Sequence, residues 1–151
     1  MQKLELINQE LKDSITELTK NLNKINVITL KDFLFLYGNI TNFSLSKSLN
    51  SSASYTKTIQ LLDEVFIFKA IDVFTSEEAE IDIKLNGAQI YSNGVLEQKA
   101  LSDFFGYNKF PKGAKIDITI TNVSNSPNNI ILNLAYYSIK ENTLNNYKSK
   151  Y

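Results

Sequence analysis

The chain has 151 residues with 16 basic against 16 acidic side chains, so its formal net charge is zero and any global attraction for nucleic acid or an anionic membrane is removed. Arginine, histidine and cysteine do not occur, which excludes bidentate phosphate gripping, a histidine-activated nucleophile, a disulfide framework and a thiolate metal site. With 43% hydrophobic and 21% charged residues, the composition is that of an ordinary folded domain with one core.

The first thirty residues carry a heptad signal. Leu4, Leu11, Leu18 and Ile25 recur every seven residues, and Met1, Asn8, Ile15, Leu22 and Thr29 occupy the complementary core positions. The spacing predicts a helix of roughly four heptads, about 40 Å long, that assembles with copies of itself through Leu4, Leu11, Ile15, Leu18, Leu22 and Ile25. Lys3, Glu10, Lys12, Asp13 and Glu17 supply a solvated outer face, and neither Gly nor Pro interrupts. The same period also fits an amphipathic helix folded back onto its own domain. Leu at one core position permits dimers as well as trimers, while Asn8 favours a defined register.

The texture changes at residue 33. Phe33 to Tyr37 is a short apolar run closed by Gly38-Asn39 and reads as a buried strand. Phe43, Leu45 and Leu49 alternate with serines, and Tyr55, Ile59 and Leu61 alternate with polar residues, which predicts two half-exposed strands around Asn50-Ser51-Ser52. Val65 to Phe74 is apolar almost throughout. It reads as a strand covered on both sides, with Phe66, Phe68, Ala70 and Phe74 on one face and Val65, Ile67, Ile71 and Val73 on the other. That second face is expected either to meet neighbouring copies or to be covered by a loop or helix of the same chain.

Ala79, Ile81, Ile83 and Leu85 alternate with Glu80, Asp82 and Lys84, and Asn86-Gly87 follows at once. Both central positions of a type I′ turn need positive φ, so a hairpin returning through Ala88 to Tyr91 is expected. Leu96, Ala100, Leu101 and Phe104 or Phe105 have helical spacing ended by Gly106, predicting a short crossover helix. Pro111-Lys112-Gly113 marks a turn, Ile116, Ile118 and Ile120 a strand, and Ile130 to Ile139 the last strand. Asn142 to Tyr151 reads as a frayed polar tail. The fold class is therefore mainly β with an N-terminal helix: a coiled-coil stalk, 1–30, followed by an antiparallel, jelly-roll-like β-sandwich head, 31–151.

Catalytic groups are scarce. Glu77, Glu78, Glu80 and Asp82 form the densest acidic group, yet their spacing matches no Ca²⁺ loop, and a solvated strand edge accounts for them. No enzyme activity, metal or cofactor is expected. Phe104 to Phe110 has more aromatic area than a surface loop needs; Phe104 and Phe110 are expected to cap the core, leaving Tyr107, Asn108 and Lys109 as the candidate ligand-binding positions, suited to a sugar ring or a protein partner. Tyr136 and Tyr137 are adjacent on a strand, so one ring must point away from the core.

The heptads led by Leu4, Leu11, Leu18 and Ile25, joined directly to one small sandwich in a Lys-, Asn- and Ile-rich chain without a leader-like apolar start, resemble tailed-bacteriophage virion proteins of the head-fibre, capsid-decoration and receptor-binding appendage type. The resemblance implies a non-enzymatic structural or attachment component, a homotrimer that docks to other virion proteins, is made in the host cytoplasm and faces a host-surface glycan. It implies no nucleic-acid partner, and no run of eighteen apolar residues suggests membrane insertion. The alternative from the residues alone is a carbohydrate- or receptor-binding module made multivalent by the coiled coil.

Overall fold

A computed structural model of the chain describes residues 2–26, 29–101 and 108–150, with side chains described for 2–18, 29–101 and 108–147. Helix α1 runs Gln2–Asn26, α2 Leu30–Tyr37, and α3 Glu141–Lys150. Between α2 and α3 the described residues form nine strands: β1 Asn39–Leu49, β2 Ser54–Gln60, β3 Val65–Thr75, β4 Ala79–Leu85, β5 Ala88–Val95, β6 Gln98–Ala100, β7 Lys109–Phe110, β8 Lys115–Asn122 and β9 Asn128–Ile139.

The strands form two antiparallel sheets, one ordered β1-β9-β3-β6 with β7 also pairing to β3, the other β2-β8-β4-β5. Pairing is nested: the first strand meets the last, the second meets the penultimate, and β4 and β5 form the innermost hairpin. A doubled ribbon folded over in this way is a jelly roll. Asn86 and Gly87, at φ 51° and 84°, make the tight turn of that inner hairpin, as the dipeptide predicts.

The interior follows from alternation. Ile116, Ile118 and Ile120 of β8, Ile81 and Ile83 of β4, and Ile130 and Leu132 of β9 are fully buried between the sheets. On β3 the alternation breaks. A bulge between Phe68 and Ala70 adds one residue, Lys69, to the strand, so Phe66 and Phe68 before it and Ile71 and Val73 after it all enter the main core. The predicted faces of this strand are corrected accordingly: Ile71 and Val73 point inward, and Ala70 and Phe74 lie with Asp72 on the outer side.

Val65 and Ile67 do face outward, and the chain covers them itself. Phe33 and Leu34 of α2 and Leu144 of α3 pack on Val65, Ile67, Tyr137 and Ile139 as a second small core. Tyr136 turns into the main core while Tyr137 enters this one, which resolves the adjacent-tyrosine question. No open face of Val65, Ile67, Ile71 and Val73 is left for a neighbouring head.

Three expected elements are corrected. Phe33 to Tyr37 is helical, because Thr29, read as a heptad core residue, is the N-cap of α2, its hydroxyl accepting from the Asp32 amide at 3.2 Å. The polar tail is α3, anchored through Leu144 and through Tyr147, whose ring lies 4.8 Å from that of Phe33. The predicted crossover helix is strand β6 over its described part, with Gln98 to Ala100 paired to Phe74 to Asp72; Phe104 and Phe105 lie outside the described residues.

Gly38 joins α2 to β1. Its amide donates to the Leu34 carbonyl at 2.8 Å, and a Cβ there would lie 2.7 Å from the same oxygen. Gly38→Ala is expected to cost about 1–2 kcal/mol, because neither backbone segment can give way cheaply; a urea midpoint unchanged from wild type would refute this.

Candidate functional site

Two surfaces stand out. The first is on α1, where Leu4, Leu11, Ile15 and Leu18 are 63%, 58%, 55% and 60% exposed, with Ile7 at 52% beside them. All lie along one stripe, since residues three, four and seven apart share a helix face. Leu22 and Ile25 continue the series on the same helix, but their side chains are outside the described residues. Polar groups on the rest of α1 bond locally: the Gln9 amide donates to Asp13 at 3.0 Å and the Thr16 hydroxyl to the Lys12 carbonyl at 2.9 Å. No described helix is long and apolar enough to cross a membrane.

The second surface is the outer side of the sheet β1-β9-β3, built in rows by register. Ser44, Asn133 and Asp72 form one row across the three strands, and Asn42, Ala135 and Ala70 form the next. Below them stand Ser46, Ile131 and Phe74; above them Tyr137 and Ile67 are roofed by α2 and α3. Small side chains between two bulky rows leave a trough of about 300 Å³. The bulge at Lys69 is what puts Ala70 and Asp72 on this side, so the trough depends on it.

The trough is chemically unlike the outer side of the other sheet. There, hydroxyls pair with one another across β2 and β8: Ser54 with Thr121 at 2.7 Å, Thr56 with Thr119 at 2.8 Å, and Thr58 with the Asp117 carboxylate at 2.5 Å. In the trough one such bond forms, from the Ser44 hydroxyl to Asn133 Oδ1 at 2.6 Å. With Oδ1 taken, Asn133 keeps its Nδ2 as a donor with no bond to a described residue. The half-buried Asp72 carboxylate and the Asn42 amide bond to no described residue.

Of the aromatic segment singled out in the sequence, Tyr107 lies outside the described residues. Asn108 and Lys109 are exposed at the start of β7, where the Asn108 carbonyl accepts from the Phe68 amide at 3.3 Å. Phe110 turns in, edge-on to Phe68 at 5.4 Å, and closes the core. The acidic residues Glu77, Glu78, Glu80 and Asp82 are strung along a turn and strand, and Glu80 accepts from the Ser92 hydroxyl at 3.1 Å. Among the described residues no three acidic groups converge as a metal site would require. The sequence did not point to the trough, because its rows join residues far apart in the chain, Ser44 and Asn133 by 89 positions.

No family model matches the sequence, and no curated protein matches it. Solved structures similar in fold include the CBM36-1 domain of a multidomain xylanase from the hindgut metagenome of Trinervitermes trinervoides, at 10% identity over 66% of this chain and 96% of that one, with a TM-score of 0.39. Another is the carbohydrate-binding module CBM36 in complex with calcium and xylotriose, at 9% identity over 66% and 98% of the two chains, TM-score 0.35. The insecticidal delta-endotoxin Cry8Ea1 from Bacillus thuringiensis matches at 15% identity over 63% of this chain and 19% of its own, TM-score 0.34. At these scores the likeness says nothing about what this chain binds.

Proposed function

We propose that the protein is a non-catalytic attachment module: α1 gathers copies of the chain, and each sandwich head engages a carbohydrate or receptor surface. The observation that carries this reading is the exposed heptad stripe Leu4, Leu11, Ile15 and Leu18 on a 25-residue helix. Water-exposed leucines repeating at coiled-coil spacing are costly to leave open, and burying each against a partner helix contributes roughly 1.5–3 kcal/mol. Weak single-site binding by each head then multiplies through the shared stalk.

The helix-then-sandwich order favours one setting, a tailed-phage virion, in which α1 holds three copies at the particle and the heads face the host. Light scattering of the intact chain is expected to give a mass close to three times 17.2 kDa at micromolar concentration. Leu11→Lys combined with Leu18→Lys is expected to return the mass of one chain with the head still folded. A wild-type protein with the mass of one chain would end the reading.

A further inference from the structure

We infer that the trough across β1, β9 and β3 binds a neutral glycan segment, with Asn133 donating to one sugar hydroxyl and Asp72 accepting from its neighbour. The inference rests on the attachment reading and names the face of the head that performs it.

The chemistry follows from what lines the trough. Asn133 Nδ2 is presented as a donor because Ser44 occupies its Oδ1, and Asp72, its direct cross-strand partner, is an acceptor only. Each hydroxyl of a vicinal pair both donates and accepts, so adjacent hydroxyls on a ring satisfy a donor and an acceptor set side by side. Hydrogen bonds to an ionised carboxylate are the stronger kind. Between these polar groups the lining is apolar, with the methyls of Ala70 and Ala135 in the row beside Asp72 and Asn133. A sugar ring has this same division, with C–H groups on its face and hydroxyls at its edge.

Shape and charge narrow the ligand further. The trough is open to solvent and its rows cross three strands, and about 300 Å³ is at the small end of ligand sites. Asp72 has no cationic partner among the described residues, so a uronic or sulfated glycan would be repelled and a neutral one accepted.

The test titrates the intact protein with cellohexaose, xylohexaose, mannohexaose and maltohexaose, alongside Asp72→Ala, Asn133→Ala and the trough-filling Ala135→Trp, with Thr56→Ala on the opposite sheet as control. At least one hexasaccharide is expected to bind. Asp72→Ala and Asn133→Ala are each expected to weaken it about tenfold or more, Ala135→Trp to abolish it, and Thr56→Ala to leave it unchanged. Thermal melts identify any variant that has lost its fold, and the two alanine variants carry the test if Ala135→Trp does so. If none of the four sugars binds, the inference is overturned, while the scattering mass still decides assembly by α1. Binding that survives in Asp72→Ala and Asn133→Ala also overturns it and leaves the attachment reading standing with its ligand elsewhere on the head.

Discussion

Asn128→Ala is expected to lower stability by about 3–4 kcal/mol, enough to move the melting midpoint down by roughly 10 °C or more. Asn128 is fully buried at the start of β9, and its amide works in both directions. Its Oδ1 accepts from the backbone amides of Ser76 and Glu77, each at 3.1 Å, and its Nδ2 donates to the carbonyls of Glu77 at 2.9 Å and Glu78 at 3.3 Å. One side chain therefore ties down the β3–β4 turn, where the Ser76 amide also reaches the Asn129 carbonyl at 3.1 Å. Asn122, equally buried, continues the network by donating to the Leu49 and Ser126 carbonyls and accepting from the Ser124 amide. Truncation removes four side-chain bonds to a part-buried turn at once and leaves a void at a fully buried position; each lost bond contributes about 1 kcal/mol. Asn129, the next residue, is exposed, and Asn129→Ala should change stability by less than about 0.5 kcal/mol. Equal urea midpoints for the two variants would refute the network's role.

The second large effect separates helix from strand at residues 33 to 37. Leu34 is fully buried under α2, whereas Leu36 is 63% exposed and Phe35 77%. Leu34→Ala is expected to cost about 2–5 kcal/mol through a cavity in the second core, and Leu36→Ala less than about 0.5 kcal/mol. In a strand, residues two apart point the same way, so both leucines would be buried together and both substitutions would be severe. Similar losses at the two positions would show that this segment is not the helix described. Leu144→Ala on α3 should resemble Leu34→Ala, since both side chains fill the same cluster.

Local signals carried much of this architecture. Asn86-Gly87 fixed a turn because few residues tolerate positive φ, and Ile116, Ile118 and Ile120 marked one face of a strand because the period of two is rigid. The failures have one kind of cause. Phe33 to Tyr37 holds five consecutive apolar residues, a run whose periodicity is silent, and what decided for helix was the Thr29 cap and a neighbour, α3, more than a hundred residues away. Asn142 to Tyr151 reads as frayed because, among the described side chains, Leu144 and Tyr147 anchor it, too few to make a pattern. The Lys69 bulge leaves no sequence mark, yet it reverses the faces of Ala70, Asp72 and Phe74 and so creates the trough. Buried Asn122 and Asn128 are indistinguishable by eye from the other asparagines of a polar loop; only the converging backbone groups reveal them.

Nested pairing also orders events in time. A chain leaving the ribosome presents β1 about ninety residues before β9, its sheet partner among the described residues. The inner hairpin of β4 and β5 can close early, but β3 must wait for the same late strand on its longer side. Completion is then nearly all-or-none, and long-range pairing of this kind makes folding slow, in milliseconds to seconds. During that interval the serine-rich β1 stands unpaired and the apolar β3 lacks its longer partner. Conditions that delay the last third of synthesis therefore threaten yield more than conditions that disturb the finished head.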